Sequence, residues 1–306
     1  MRASLLAVVC VAACHQASAP SGTSCNGRDE LCARAYDAVT FAGTHNAGSN
    51  IADDFAAPDQ TYGLTRQLDD GIRVLHLEFQ AYDDDVYLCH SLCEIGSRLL
   101  VDGLTEVAAW SKAHRRDVVT LLMESTAVSS DDIAARLKTA GLLPSLHVQT
   151  AGAAWPTLGQ LIDRGDRVIV FNDDKTNTGG TLFPWLLDRF SWTWETPWDN
   201  QTFADFARCS ADRGTPGNSL YVVDSYLEDL IIPNATDAKR VNYDPFLIDR
   251  FLHCRAASGV RVNFAMVNFY DVSDIFSDVD ILNGFASLPA DNLDAFPPAR
   301  DLGESD

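Results

Sequence analysis

Residues 67–93, QLDDGIRVLHLEFQAYDDDVYLCHSLC, restrict the fold of this chain more than any other stretch. An apolar run of β-type residues (72–79) meets an acidic turn (83–85), and a second short run (86–89) delivers His90. Such runs bounded by turn residues read as strand, turn, strand. The first run carries His76 and Glu78 two positions apart, which in a strand puts both on one face. Upstream, VTFAGTHN is another strand-like run, ending at His45 and followed by Asn46. Histidines at the ends of separate strands point to a site above the C-terminal edge of a sheet or barrel.

The rest of the chain repeats that grammar. Further strands are expected at 118–123, ending at Glu124, and at 167–171, 220–223 and 262–269. The third of these four later runs, 220–223, ends at Asp224. Helices are expected at 98–114, where Leu100, Leu104, Val107 and Ala108 share a face, and at 130–140, with Ser129 or Ser130 as cap and Gly141 as stop. Residues 182–190 read as helical, the tryptophans at 192, 194 and 198 as a loop, 245–255 as a helix capped by Asp244, and 273–282 as a last helix. Alternating strands and helices make this an α/β chain, an irregular TIM-like (β/α) barrel in a single domain. At 306 residues and 46% hydrophobic content it is long enough for one such barrel.

The N-terminus reads as an export signal. Arg2 precedes a short apolar run, and Val11-Ala12-Ala13-Cys14 looks like a bacterial lipobox. The expectation is a signal peptide at 1–13, a lipidated Cys14, a small polar tether at 14–24 and the barrel at 25–306. That makes the protein an exported lipoprotein held at the membrane by its anchor, or a secreted one. Beyond Cys10 and Cys14 there remain Cys25, Cys32, Cys89, Cys93, Cys209 and Cys254, an even set that argues for disulfides in an exported chain. The first two pairs are close enough for local bridges, which leaves Cys209 with Cys254; sequence alone leaves other pairings open. The formal charge of −20 excludes nucleic-acid binding through a general field, and also attraction to anionic lipid.

The segments CNGRDELCARAYDAVTFAGTHNA, QLDDGIRVLHLEF, VYLCHSLCEIG and VVTLLME resemble the X domain of phosphatidylinositol-specific phospholipase C, most closely its small secreted bacterial and plant branch. The resemblance continues through WTWETPW, VNYDPFL and VNFAMVNFYDVSD. It implies a monomeric phosphodiesterase acting on phosphatidylinositol-type phospholipids, with His45 and His90 as its two catalytic histidines. It also implies a bound cation. Asn46, Glu78 and Glu124 fall on the positions that hold Ca²⁺ in the calcium-dependent members; Mg²⁺ or no metal are the alternatives. Two glutamates in a phosphate site would repel the substrate unless a cation neutralised them. His76 stands where calcium-dependent animal enzymes have an acid, and is carried as a further metal-site candidate. Asn268 stands where metal-independent relatives have an Asp that orients the first histidine; Asp224 and Arg73 are further substrate-contacting or orienting candidates. Arg73 is offset from His76 and Glu78 by an odd number of positions, so a strand points it to the opposite face, where a salt bridge is expected. Two rival readings are a glycerophosphodiesterase or sphingomyelinase D type enzyme, which expects an E-x-D pair where this chain has His76-Leu77-Glu78, and a non-catalytic binding lipoprotein.

Overall fold

The computed structural model describes residues 22–174, 180–228 and 233–288. The expected signal peptide, Cys14 and most of the tether lie outside them. In chain order the main elements are β1 (Phe41–Thr44), α1 (Leu64–Asp70), β2 (Val74–Tyr82), β3 (Asp85–Cys89), β4 (Ser97–Leu99), α2 (Leu100–Ala113), β5 (Val119–Thr126), α3 (Ser130–Thr139), α4 (Leu158–Arg164) and β6 (Val168–Asn172). They continue with β7 (Leu186–Asp188), α5 (Arg189–Trp192), β8 (Thr193–Glu195), β9 (Arg213–Gly214), β10 (Leu220–Asp224), α6 (Ala235–Asn242), α7 (Phe246–Ser258), β11 (Phe264–Val267) and α8 (Ile275–Leu282).

Side by side the strands run β7-β6-β5-β2-β1-β11-β10-β8, every neighbouring pair parallel. The hairpin β2–β3 and strands β4 and β9 are antiparallel additions. This is a TIM-like barrel, and an open one: among the described residues no ladder joins β7 to β8. Parallel neighbours need a crossover of about a dozen residues, whereas α5 offers a single four-residue turn. The two strands flanking it therefore do not pair with each other, and the sheet ends at β7 on one side and at β9, added to β8, on the other.

The period of two sorts the side chains. On β2, Leu75, Leu77 and Phe79 pack outward with Leu104 and Val107 of α2, while Val74 joins the inner cluster. On β5, Leu121 and Met123 face outward and Leu122 inward; on β11, Ala265 and Val267 face outward and Phe264 and Met266 inward. The inner face is apolar low in the barrel, where Tyr36, Phe41, Trp155 and Phe171 complete a plug. Its polar residues come at the C-terminal strand ends. Gly43 on β1 shows how tight this interior is, because a Cβ there would sit 2.4 Å from Met266 Sδ and 3.0 Å from Val74 Cβ.

Several local expectations are corrected. Residues 182–190 are not a helix: Pro184 interrupts the run, and Leu186–Asp188 becomes β7 before the single turn of α5. Part of the expected tryptophan loop is β8. Trp194 is buried and stacked on Tyr221 at 3.8 Å, Trp192 packs edge-on against Trp155, and Trp198 stays partly exposed. Helix α4 carries a reciprocal capping box between Thr157 and Gln160 that the pattern reading passed over. The bridges Cys25–Cys32, Cys89–Cys93 and Cys209–Cys254 all form.

Candidate active site

The inner positions that follow the apolar layer converge on one cavity of about 170 Å³, whose walls include His45, Asn46, His76, Glu78, His90 and Glu124. Arg189, Arg213, Asp224 and Glu228 complete its charged lining. Continuing β1, β2, β5 and β10 in period two from Phe41, Val74, Leu122 and Leu220 reaches His45, His76 and Glu78, Glu124, and Asp224. The same alternation that fills the barrel's base therefore aims its polar residues at the top. Sharp turns then redirect the chain. His45, His90 and Asn268 are each followed by a non-glycine residue with positive φ: Asn46 at 41°, Ser91 at 58° and Phe269 at 46°. Such backbone costs on the order of 1–3 kcal/mol per residue and persists where the surroundings over-determine it.

His45 is held through its Nδ1, which lies 2.9 Å from Asn268 Oδ1, and its ring stacks on Tyr226 at 4.0 Å. Asn268 in turn donates from Nδ2 to Asp59 Oδ1 at 2.9 Å, which fixes the amide's orientation. With an amide oxygen opposite, His45 Nδ1 carries the proton and Nε2 keeps its lone pair. His90 places Nδ1 3.1 Å from Asp59 Oδ2 and 3.2 Å from the Ala57 carbonyl. Asp59 is buried between the two histidines.

The environment separates the two imidazoles. Burial, with His76 and His90 nearby, holds His45 well below the ordinary histidine value. Burial also pulls His90 down, but the Asp59 and Glu78 carboxylates outweigh it and the net shift is upward. A His45 biased toward its neutral form beside a His90 biased toward its protonated form is the arrangement that splits base from acid. Burial raises Asp59 to about 6 against the pull of His90.

Around the pair, Glu78 Oε1 accepts the Ser91 N–H at 2.9 Å. His76 Nδ1 accepts the Asn46 N–H at 3.3 Å, so its proton sits on Nε2, 3.1 Å from Glu124 Oε2. For Glu124, burial works upward, but His76 and the Arg189 and Arg213 charges hold it below the usual carboxylate range. Glu195, fully buried, ties both arginines together: Arg189 Nη2 reaches its Oε2 at 2.6 Å, and Arg213 Nε bonds Oε1.

As a test of cation fit, Asn46 Oδ1 is buried without a hydrogen-bond partner, in a cavity that also presents Glu78 and Glu124 oxygens. Those are hard donors suited to Ca²⁺ or Mg²⁺. Among the described residues no group of three or more His, Cys, Asp or Glu side chains is gathered as a metal cage, so the amide is needed to complete the set. His76, the further metal-site candidate, reaches the same wall: its Nδ1 accepts the Asn46 N–H and its Nε2 lies 3.1 Å from Glu124 Oε2, a placement that suits a partner to Glu124 better than a ligand to a hard cation. Arg73 is corrected. It lies at the opposite end of β2, donating to Asp117 at 2.9 Å and to the Leu68 and Ile72 carbonyls beneath the Trp110 ring. Asp59, Arg189, Arg213, Tyr226 and Glu228 are site residues that sequence reasoning missed. For Arg189 and Arg213 the only available signal was that both flank the W-x-W-E strand; for Asp59 there was none.

The PI-PLC X family model matches residues 31–283. A PI-PLC X domain-containing protein of Arthroderma benhamiae is 34% identical over 234 residues, 71% of this chain and 74% of that one. An uncharacterized secreted protein of the same organism is 35% identical over 181 residues, 56% of this chain and 40% of its own length. In fold, the phosphatidylinositol-specific phospholipase C of Listeria monocytogenes superposes with a TM-score of 0.55 at 15% identity, covering 84% of this chain and 97% of that one. With the family model spanning the barrel from before β1 to the end of α8, the chain belongs to the PI-PLC X domain family and carries a phospholipase C-like phosphodiesterase fold.

Proposed function

We propose that the protein is a phosphodiesterase that cleaves phosphatidylinositol-type phospholipids to diacylglycerol and a cyclic inositol phosphate. The observation that carries this reading is the pair of oppositely biased histidines opening into one polar cavity, both tied to a buried Asp59. His45 Nε2, unprotonated, accepts the proton of the inositol hydroxyl that attacks phosphorus. His90, protonated, delivers a proton to the diacylglycerol oxygen as the P–O bond breaks. Each histidine ends in the other's starting state. Attack by water on the cyclic product, or exchange with solvent, resets both.

Charge supports a bound cation. Glu78, Glu124, Asp224 and Glu228 line the cavity against Arg189 and Arg213, crowded enough that burial pushes Asp224 and Glu228 up to about 7, and a cation would offset the carboxylate charge that an entering phosphodiester meets. Asn46, Glu78 and Glu124 would hold the cation, Ca²⁺ in preference to Mg²⁺, and when bound it would supply positive charge against the anionic transition state. Arg189 and Arg213, braced by Glu195, add fixed positive charge on the β7/β8 side. Asp224 Oδ2 is buried without a hydrogen-bond partner at the cavity wall and would accept from an inositol hydroxyl, which supports the reading.

Export is part of the proposal. Three disulfides suit an oxidising compartment, and a secreted relative agrees with it. The lipid anchor at Cys14 rests on the sequence.

The test is diacylglycerol release from phosphatidylinositol vesicles, with calcium and with EDTA, beside His45→Ala and His90→Ala. The expected outcome is calcium-dependent turnover that falls by about 10²–10⁴-fold in either variant. Turnover surviving EDTA would remove the cation from the proposal. Folded protein with no turnover on any inositol lipid would overturn the reaction itself.

A further inference from the structure

We infer that Asp59 is a shared positioning residue, one carboxylate that orients both histidine rings and fixes the tautomer of His45. Resting on the proposed acid–base pair, this inference adds a residue that touches neither phosphate nor hydroxyl.

Three observations carry it. First, the two oxygens of Asp59 divide between the histidines. Oδ2 stands 3.1 Å from His90 Nδ1, and Oδ1 accepts from Asn268 Nδ2 at 2.9 Å, while Asn268 Oδ1 faces His45 Nδ1 at 2.9 Å. A carboxylate only accepts, so Asn268 must turn its NH₂ toward Asp59 and its oxygen toward His45. The His45 proton is thereby fixed on Nδ1 from two bonds away. An amide facing a histidine could otherwise present either end.

Second, the carboxylate is locked by backbone as well. The Asp59 N–H donates to the Ser49 carbonyl at 3.0 Å, and its own carbonyl accepts the Phe269 N–H at 2.8 Å. These bonds stitch the 46–59 loop to the turn after β11, so Asp59 and Asn268 move as one piece. Gln60 adds to the same seam, donating from Nε2 to the His45 carbonyl at 2.7 Å and to the Val267 carbonyl at 3.1 Å.

Third, among the described residues no other carboxylate comes within ion-pair distance of either ring. Glu78 is bonded to the Ser91 N–H and Glu124 faces His76. At 4.0 Å, Asp59 Oδ1 is beyond hydrogen-bond reach of His45 Nδ1, so the amide relay is the route between them.

The experiment uses the intact, disulfide-bonded protein and two readouts. Nitrogen NMR of the imidazoles reports tautomer directly and needs no substrate; steady-state kinetics on phosphatidylinositol vesicles report kcat and KM. In Asp59→Asn, His45 should lose its fixed tautomer and the His90 Nδ1 signal should shift as its carboxylate partner is neutralised, and kcat should fall roughly 100-fold or more with KM little changed. Asn268→Leu cuts only the relay, so it should change the His45 signals and leave those of His90 in place. It also serves if Asp59→Asn fails to fold. Unchanged His45 signals in Asp59→Asn, or His90 signals moving with His45 in Asn268→Leu, would overturn the inference. A protein showing the expected NMR responses but no turnover would instead fail the proposed reaction and leave the positioning role standing.

Discussion

Asp278, on α8, offers a stability test away from the cavity. It is fully buried, and burial together with Asp244, Asp274 and Asp249 pushes its carboxyl up to about 9. In the unfolded chain such a group ionises near pH ~4. Below that pH both states hold the proton and the group does not affect the balance. Above it the unfolded state releases the proton while the folded state keeps it, so stability falls steadily as pH rises toward about 9 and then levels. At pH 7 the span from ~4 corresponds to about 4 kcal/mol if Asp278 titrates alone. Its coupling to Asp244 spreads part of that over the pair, so less than the full amount is recovered at one position. Asp278→Asn removes the ionisation, keeps an acceptor and gives Asp244 an amide donor. Urea unfolding followed by tryptophan fluorescence, with disulfides intact, measures the difference at pH 5 and pH 8. The variant should be more stable than the parent at pH 8, by a margin that shrinks toward pH 5. An equal difference at both pH values, or a variant weaker at pH 8, would refute the reasoning.

Two further outcomes test the site's supports. Arg73→Ala should lower stability by about 3 kcal/mol, because it leaves a half-buried Asp117 and two carbonyls without their donor, while KM on phosphatidylinositol stays at the parent value; a raised KM would return Arg73 to the site. The Cys89–Cys93 bridge closes a ring around His90, Ser91 and Leu92, so replacing both cysteines with serine should lower kcat by at least about 10-fold while melting shifts by only a few degrees. Equal losses in both would make the bridge a staple for the whole fold.

What could be read in the sequence followed physical regularity. Two-residue periodicity put His76 and Glu78 on one face and Arg73 on the other, and the strand ends carried His45 and His90 into one region. What could not be read depended on contacts between distant parts of the chain. The 46–59 loop holds Asp53, Asp54 and Asp59, and nothing local tells them apart. Asp53 donates its N–H to the capping Asn50 side chain and pairs with Arg98, while Asp59 is buried between histidines. The left-handed turns at Asn46, Ser91 and Phe269 lack the glycine that would have announced them. Strands β7 and β8 each have three residues, too few for periodicity to register. The capping box at Thr157 was legible and was passed over.

The unclosed seam also has a mechanical consequence. A closed barrel is a hoop, in which opening any joint loads the rest; this sheet is a strip whose ends meet without a ladder. What crosses the gap at the cavity level is the charged bridge from Arg189 to Glu195, braced by Arg213. β8 is covered on its outer side by β9, but the backbone amides on the open edge of β7 lack the strand partner that protects those of β1, β2 and β5, and they will exchange with deuterium sooner than those strands. The wall bearing the arginines is thus the compliant side of the molecule, and the wall bearing the histidines is the stiff one.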